Sequence, residues 1–345
     1  MTNSKLVVFN LKSCQTDPIF SASVLWVQEL SNRFSDVEVY SVHLGSVPKI
    51  ANVRWRELGG GSNVTRLHAI WRILLFLSHT IFSRDRFVVF HYMSHKTAVF
   101  PGLFLRLMKI HQVLWYAHAS KTLSLSLAEK IVNKVVTSRK TAFPIESKKV
   151  TEIGQALTFA LPERLLPVWK NRKNEIVSLG RLARAKRLEE CLAALENPSL
   201  PHHQLSNIGP QTDLDYKAFL DREFIGKRSR LLVLPQLPHK EAILAISNYR
   251  YYFSGTRNAI DKSAIEAASV GCLILTTNSN LQEILEIETI FSGLGIKGNI
   301  GSQLAWYSQL PVKEIEDLQE RIVNHVRKQL SLSCVVDRLM RVLNP

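Results

Sequence analysis

Short apolar runs alternate with helix-period segments along nearly the whole chain, and this alternation restricts the fold more than any other feature. In the first half, residues 5–9, 37–42, 87–91, 112–118, 134–137 and 150–153 read as strands. Most are apolar on both faces, as strands of a parallel sheet covered on each side must be. Between them, residues 23–34, 64–82, 97–108 and 122–132 carry helical spacing. Strand, helix and strand in repetition predict a parallel, doubly wound α/β sheet.

Leu161-Pro162 and Leu166-Pro167 then lead into a polar stretch, residues 170–175, that reads as a linker. A second series starts there. Strands are expected at 176–180, 204–209, 231–235, 251–254 and 272–277, and helices at 188–195, 215–224, 240–247, 261–270 and 281–285. Helical periodicity returns over 312–343. Two lobes also suit a length of 345 residues, about twice that of a usual domain. The expected organisation is two Rossmann-like, doubly wound domains, 1–165 and 166–310, facing a cleft. Residues 311–345 form C-terminal helices packing back across the lobes. Ligands of such sheets bind outside the C-terminal ends of the strands.

The formal net charge is +15, from 44 Lys and Arg against 29 Asp and Glu, which implies an acidic partner. Its distribution is uneven: residues 51–150 hold 16 basic and 4 acidic side chains. There Trp71, Phe76, Phe82, Phe100 and Phe104 interleave with Arg66, Arg72, Arg84, Arg86, Arg106 and Lys109. Such a mixture suits an anionic membrane interface. It equally suits helices whose apolar members face a core. Charge alone would also fit nucleic acid, but no helix-turn-helix, zinc-finger or RNP-type signature accompanies it, so no nucleic-acid partner is expected.

Cys14, Cys191, Cys272 and Cys334 lie far apart without metal-ligand spacing, which predicts neither a zinc site nor a disulfide framework and fits a reducing cytosol. The N-terminus reads directly as a strand and predicts no secretion signal. The longest apolar run, 70–82, is broken by Arg72 and His79 and falls short of the ~20 residues that span a bilayer. There is no P-loop sequence and no GxSxG elbow, and Gly59-Gly60-Gly61 is not bracketed by strand and helix.

Three segments carry candidate chemistry. After the strand at 176–180, Gly180 permits a tight exit, and Arg181 and Lys186 project from the following loop. Two cations there could grip a diphosphate, or form an ordinary solvated pair. Around 254–271, a buried strand runs into a small polar loop, Asn258-Ala259-Ile260-Asp261, and then a helix whose first turn offers unpaired N–H groups. Glu266 in that helix is either an acceptor for two ribose hydroxyls or an exposed helix residue. His91 and His118 each end an expected strand, where they would point at a ligand or serve as structural histidines.

In order, VLWYAHAS, KIVNKVVTSRKTAFPIESKKVTEIGQAL, VSLGRLARAKRLEECLAAL, NIGP, LPHKEAILAISNYRYYFSG, the Glu266 helix and CLILTTNSNLQEIL resemble the retaining, family 4 type glycosyltransferases of the GT-B fold (glycosyl transferases group 1). The resemblance implies an acceptor-side first domain and a nucleotide-sugar-binding second domain. It implies that Arg181 and Lys186 hold the donor diphosphate, that Glu266 binds the ribose, and that His118 lies near the donor sugar. Backbone amides around Ala259, Ile260 and Asp261 would cap the phosphate. His91 remains a cleft candidate. Eight residues before Glu266 the family has a glutamate that contacts the donor sugar; here the position is Asn258, and the usual Gly-Phe-Gly reads Ala259-Ile260-Asp261.

The expected function is transfer of a sugar, with retention, from a nucleotide-sugar donor to a lipid-linked or glycan acceptor in surface polysaccharide or glycolipid assembly. The protein would be cytoplasmic and peripheral on an anionic membrane. No metal and no other cofactor are expected, because the cations neutralise the leaving group. Alternatives are a catalytically weak nucleotide-binding relative, which Asn258 keeps open, and a nucleotide-sugar epimerase.

Overall fold

Two all-parallel sheets, of seven and five strands, organise the chain. The computed structural model describes residues 2–17, 20–59, 66–82, 87–118, 120–158, 166–201, 204–257, 260–286 and 298–344. It divides into two units: Met1–Thr158 with Leu332–Pro345, and Phe159–Ser331.

The first unit contains β1 (Thr2–Ser13), α1 (Ser21–Ser31), β2 (Phe34–Leu44), β3 (Val53–Glu57), α2 (Arg66–Phe82), β4 (Phe87–Tyr92), α3 (His95–Leu107), β5 (Gln112–Trp115), α4 (Leu123–Ile131), β6 (Lys134–Thr137) and β7 (Val150–Glu152). Its strand order is β3-β2-β1-β4-β5-β6-β7. Alternate residues of β1 serve opposite layers, as the period of a strand requires. Leu6 and Val8 pack with Trp26 and Leu30 of α1 and with Val335 and Leu339 near the C-terminus. Val7 and Phe9 pack with Ile73, Phe76 and Leu77 of α2.

Two elements of this unit differ from the sequence expectation. Phe34 begins β2 instead of ending α1, where its ring is fully buried. The strand β3 lay outside the expected set because Arg54, Arg56 and Glu57 interrupt it. At the sheet edge one side of VRWRE carries Val53 and Trp55 to the core while Arg54 and Arg56 stay exposed.

The second unit contains β8 (Lys173–Leu179), α5 (Leu188–Ala194), β9 (Gln204–Ile208), α6 (Leu214–Phe224), β10 (Arg230–Leu234), α7 (His239–Ile246), β11 (Tyr249–Ser254), α8 (Lys262–Ser269), β12 (Leu273–Thr276), α9 (Ser279–Ile284), α10 (Ile300–Gln309) and α11 (Val312–Gln329). Its strand order is β10-β9-β8-β11-β12. The polar stretch expected as a linker supplies the first residues of β8, where Lys173 pairs in register with Tyr249. The remaining helix, α12 (Leu332–Leu343), belongs to the first unit, where Arg338 donates to the Ile153 carbonyl at 3.1 Å.

Candidate functional site

In the second sheet β8 and β11 lie side by side, and the chain proceeds from them in opposite directions, to β9 and β10 on one side and to β12 on the other. This is a topological switch point, where the loops leaving the C-terminal ends of two neighbouring strands part and leave a crevice. The loop after β8 carries Gly180, Arg181 and Lys186; the loop after β11 carries Ile260 and Asp261.

Close backbone approach draws these loops together. Gly180 has φ +123°, and a Cβ there would lie 3.1 Å from Lys186 Cε and 3.3 Å from its Nζ. At Gly209, φ +152°, a Cβ would stand 2.2 Å from the Gly180 carbonyl oxygen. A Cβ on Gly255 would stand 2.5 Å from the Lys186 carbonyl oxygen. At Gly209 and Gly255 the collision is with backbone oxygens, and at Gly180 the positive φ favours glycine, so these three glycines let the strand exits meet.

Lys186 is thereby laid over the strand ends, with Nζ 3.0 Å from Asp261 Oδ2. The same oxygen accepts from the Ser254 hydroxyl at 2.8 Å, while Asp261 Oδ1 accepts from the Ser263 N–H at 3.2 Å. Asp261 is thus the N-cap of α8, placing a carboxylate at the positive end of that helix. Beneath it, Tyr252 is fully buried; burial, and after it the Asp261 charge, push its phenol well above the usual value of 10.

Arg181 is exposed and makes no hydrogen bond or ion pair among the described residues. Asn258 and Ala259 lie outside the described residues. Glu266, in α8, is 3% exposed, which removes the reading of an ordinary exposed helix residue. Its Oε1 accepts from His239 Nε2 at 3.0 Å and lies 3.5 Å from Lys262 Nζ. His239 opens α7 and was not singled out from sequence; its only signal is the LPHKE turn between strand and helix. Asn278 was also missed. It caps α9 and donates to the Thr256 carbonyl at 2.7 Å, fixing the loop that leads to Asp261.

The two histidines of the first unit separate. His91 lies within β4, one residue short of its end, on the face shared with Phe9, and is fully buried. Its Nδ1 is 3.1 Å from Thr97 Oγ1 and its Nε2 is 3.2 Å from Gln112 Oε1, so both nitrogens are taken inside the protein and the expected cleft position is corrected. Burial lowers its pKa to about 4. His118 is exposed beyond β5, which ends at Trp115, and its Nδ1 accepts from the Ser120 N–H at 3.1 Å.

Among the described residues no group of three or more His, Cys, Asp or Glu is arranged to hold a metal ion. No helix among them is long and apolar enough to cross a membrane.

No protein-family model and no curated protein sequence matches the chain. Solved structures match it end to end. Sucrose-phosphate synthase from Thermosynechococcus elongatus superposes with a TM-score of 0.66 at 13% identity, over 99% of this chain and 98% of that one. HepE from Anabaena, in complex with UDP, gives a TM-score of 0.69 at 12% identity, over 98% of this chain and 99% of that one. The fold is GT-B. WaaB, a lipopolysaccharide outer core galactosyltransferase, gives 0.64 at 12% identity over 98% and 99% of the two chains. Within the GT-B fold of this chain, Lys186, Asp261 and Glu266 belong to the second unit, and His91 and His118 to the first.

Proposed function

We propose that the protein is a glycosyltransferase that moves a hexosyl group, with retention, from a nucleotide-sugar donor to a lipid-linked or glycan acceptor. The observation that carries this reading is the convergence of strand exits at the β8–β11 switch point. There Lys186 meets Asp261, the N-cap of α8, and the same helix carries the buried Glu266, in a fold shared with a structure that holds UDP. The second unit takes the donor and the first the acceptor. Lys186 and Arg181 grip the diphosphate, with Gly180 and the backbone at Ala259, Ile260 and Asp261 beside it. Glu266, oriented by His239, accepts from the ribose hydroxyls. Asn258 stands where the resembled family carries its sugar-contacting glutamate and meets the sugar with an amide. His118 lies near the donor sugar. His91, with both nitrogens satisfied internally, receives no ligand role.

In the reaction the bond from the anomeric carbon to the phosphate oxygen breaks as the acceptor oxygen bonds to that carbon on the same face. The departing phosphate takes the acceptor hydroxyl proton. The protein positions both partners and stabilises the charge growing on the diphosphate. Cations do this work in place of a metal ion. The setting is cytoplasmic, on an anionic membrane surface, in surface polysaccharide or glycolipid assembly.

A second reading is a nucleotide-binding relative with weak turnover. It is favoured by Asp261, whose carboxylate already occupies Lys186. Thermal shift and calorimetric titration with nucleoside diphosphates, followed by transfer assays with the nucleotide sugars that bind, test both. Lys186→Ala abolishes transfer if the first reading holds. Binding without turnover supports the second, and no stabilisation by any nucleotide overturns both.

A further inference from the structure

A helix on the surface of a sheet normally turns one apolar stripe inward and a polar face to water. The helix α2 does not. Ile73, Phe76 and Leu77 face the sheet, while Ile70, Trp71, Leu74 and Leu75 are exposed, Trp71 at 59%. On α3, next to it, Phe100, Leu103, Phe104 and Leu107 are exposed as well, Leu107 at 74%. A contiguous apolar surface of this kind marks an interaction site.

Charge indicates what covers it. Residues 66–131, which span α2 to α4, hold nine Lys and Arg against two Asp and Glu. Beside α2 a cleft of about 700 Å³ opens over β1, β2 and β3. Trp71 and Leu75 form its apolar rim, and Lys5, Arg54, Arg56 and Arg72 supply its cations. Its two carboxyl groups are Glu38, held by Lys5 at 2.8 Å and by Arg56 at 2.5 Å, and Glu57; Arg54 pairs with Asp36 at 2.7 Å, and Arg72 donates to the Glu57 carbonyl oxygen, which leaves four cations against two carboxylates in the lining. An apolar ridge bordered by a cationic cleft matches an amphiphile with an anionic head. A second copy of the chain would bring like charges face to face, and nucleic acid would gain little from exposed leucines.

We propose that the outer face of α2 and α3 docks on a bilayer of anionic phospholipid, its aliphatic and aromatic side chains entering the acyl boundary and a lipid phosphate seated in the cleft beside α2. This assigns a face and a headgroup site to the membrane part of the proposed function, and rests on that part alone. The cleft opens over the face of the first unit's sheet, and its lining residues all belong to that unit.

Flotation of the full-length protein with vesicles of phosphatidylcholine alone, and of phosphatidylcholine mixed with phosphatidylglycerol, tests it. Binding is expected only with the anionic lipid, and weakens with salt. Leu75→Ser with Phe104→Ser removes it, and Arg54→Gln with Arg72→Gln weakens it by roughly tenfold or more. Thermal unfolding identifies any variant that fails to fold. Equal binding by folded variants and parent overturns the proposal, as does absence of binding to anionic vesicles. A dimer dispersed by Leu103→Ser, or retention of DNA by the same residues in place of vesicles, also overturns it. Titration with nucleoside diphosphates reads the donor site separately: a parent that binds a nucleotide but not anionic vesicles sinks the docking face alone, and a parent that binds the vesicles but no nucleotide sinks the transferase reading alone.

Discussion

Lys186 Nζ stands 3.0 Å from Asp261 Oδ2, joining the loops that leave β8 and β11 across the switch point of the second sheet. The resembled family has glycine at the position of Asp261, which leaves both the lysine and the helix N-terminus open to a phosphate. Here a carboxylate pairs with the lysine and caps the helix. Asp261→Asn keeps the N-cap, because an asparagine oxygen accepts from the Ser263 N–H as well as a carboxylate does, and it removes the charge. Calorimetric titration is expected to show UDP binding roughly tenfold tighter, the size of one charge-assisted hydrogen bond. Unchanged or weaker binding would mean that Asp261 positions Lys186 without competing with the ligand.

Glu266 is almost completely buried, yet its Oε1 is shared by His239 and Lys262. In the proposed donor site this carboxylate would receive two ribose hydroxyls and so discriminate against a nucleotide that lacks one of them. The parent is therefore expected to bind UDP more tightly than its 2′-deoxy counterpart, and Glu266→Gln is expected to narrow the gap by roughly tenfold, since a neutral acceptor makes the weaker bond. Equal discrimination by parent and variant would remove Glu266 from ribose recognition.

What was legible followed from periodicity. Both series of strands and helices could be read because buried parallel strands are apolar on both faces and the intervening helices are not. The edge strand β3 escaped because only one of its faces reaches the core, so VRWRE shows charge at every second position. Near the site, Gly180, Lys186 and Glu266 stood out because they follow a strand or sit alone in a small apolar helix. Their pairings with one another did not. Ser254, Asp261 and Lys186 meet only because β8 abuts β11, and strand order is set by packing that no local pattern records. His91 was misplaced by one residue of strand length: β4 continues to Tyr92, and the ring turns toward α3.

Gly209 tests the convergence of strand exits directly. Its φ of +152° disfavours any other residue, and a Cβ would stand 2.2 Å from the Gly180 carbonyl oxygen, a backbone atom that no side-chain rotation can move. Gly209→Ala is expected to destabilise the second unit by about 1–3 kcal/mol, as overpacking does. It would also displace Gly180 and so Lys186. Urea unfolding should show the loss, and nucleotide affinity should fall with it. Gly226→Ala is the control: φ is also positive, at +68°, but nothing lies within 4 Å of its Cβ, so backbone strain acts there without the collision. A Gly209 variant no less stable than the Gly226 variant would show that the strand exits can separate at little cost.

The last prediction concerns acid. His91 is fully buried with a pKa lowered from 6.5 to about 4, chiefly by burial and against the opposing effect of Gln112. On the neutral ring Nε2–H donates to Gln112 Oε1, and Nδ1 lies 3.1 Å from the Thr97 oxygen, whose own hydrogen goes to the Ser94 carbonyl. A folded-state pKa below the unfolded one means that the unfolded chain binds the proton more readily between the two values. The neutral ring therefore contributes its full stability above pH 6.5, and that contribution is lost as pH falls toward 4. By linkage the loss from this residue reaches about 2 kcal/mol at pH 5. Urea unfolding of the first unit at pH 7 and pH 5 measures it. His91→Leu leaves Gln112 Oε1 without its donor and is less stable at pH 7, but its stability should fall less between the two pH values. A parent whose first unit is as stable at pH 5 as at pH 7 would mean that the ring takes up a proton in place, Nδ1–H donating to the Thr97 oxygen while the Thr97 hydroxyl keeps its bond to the Ser94 carbonyl at 2.8 Å.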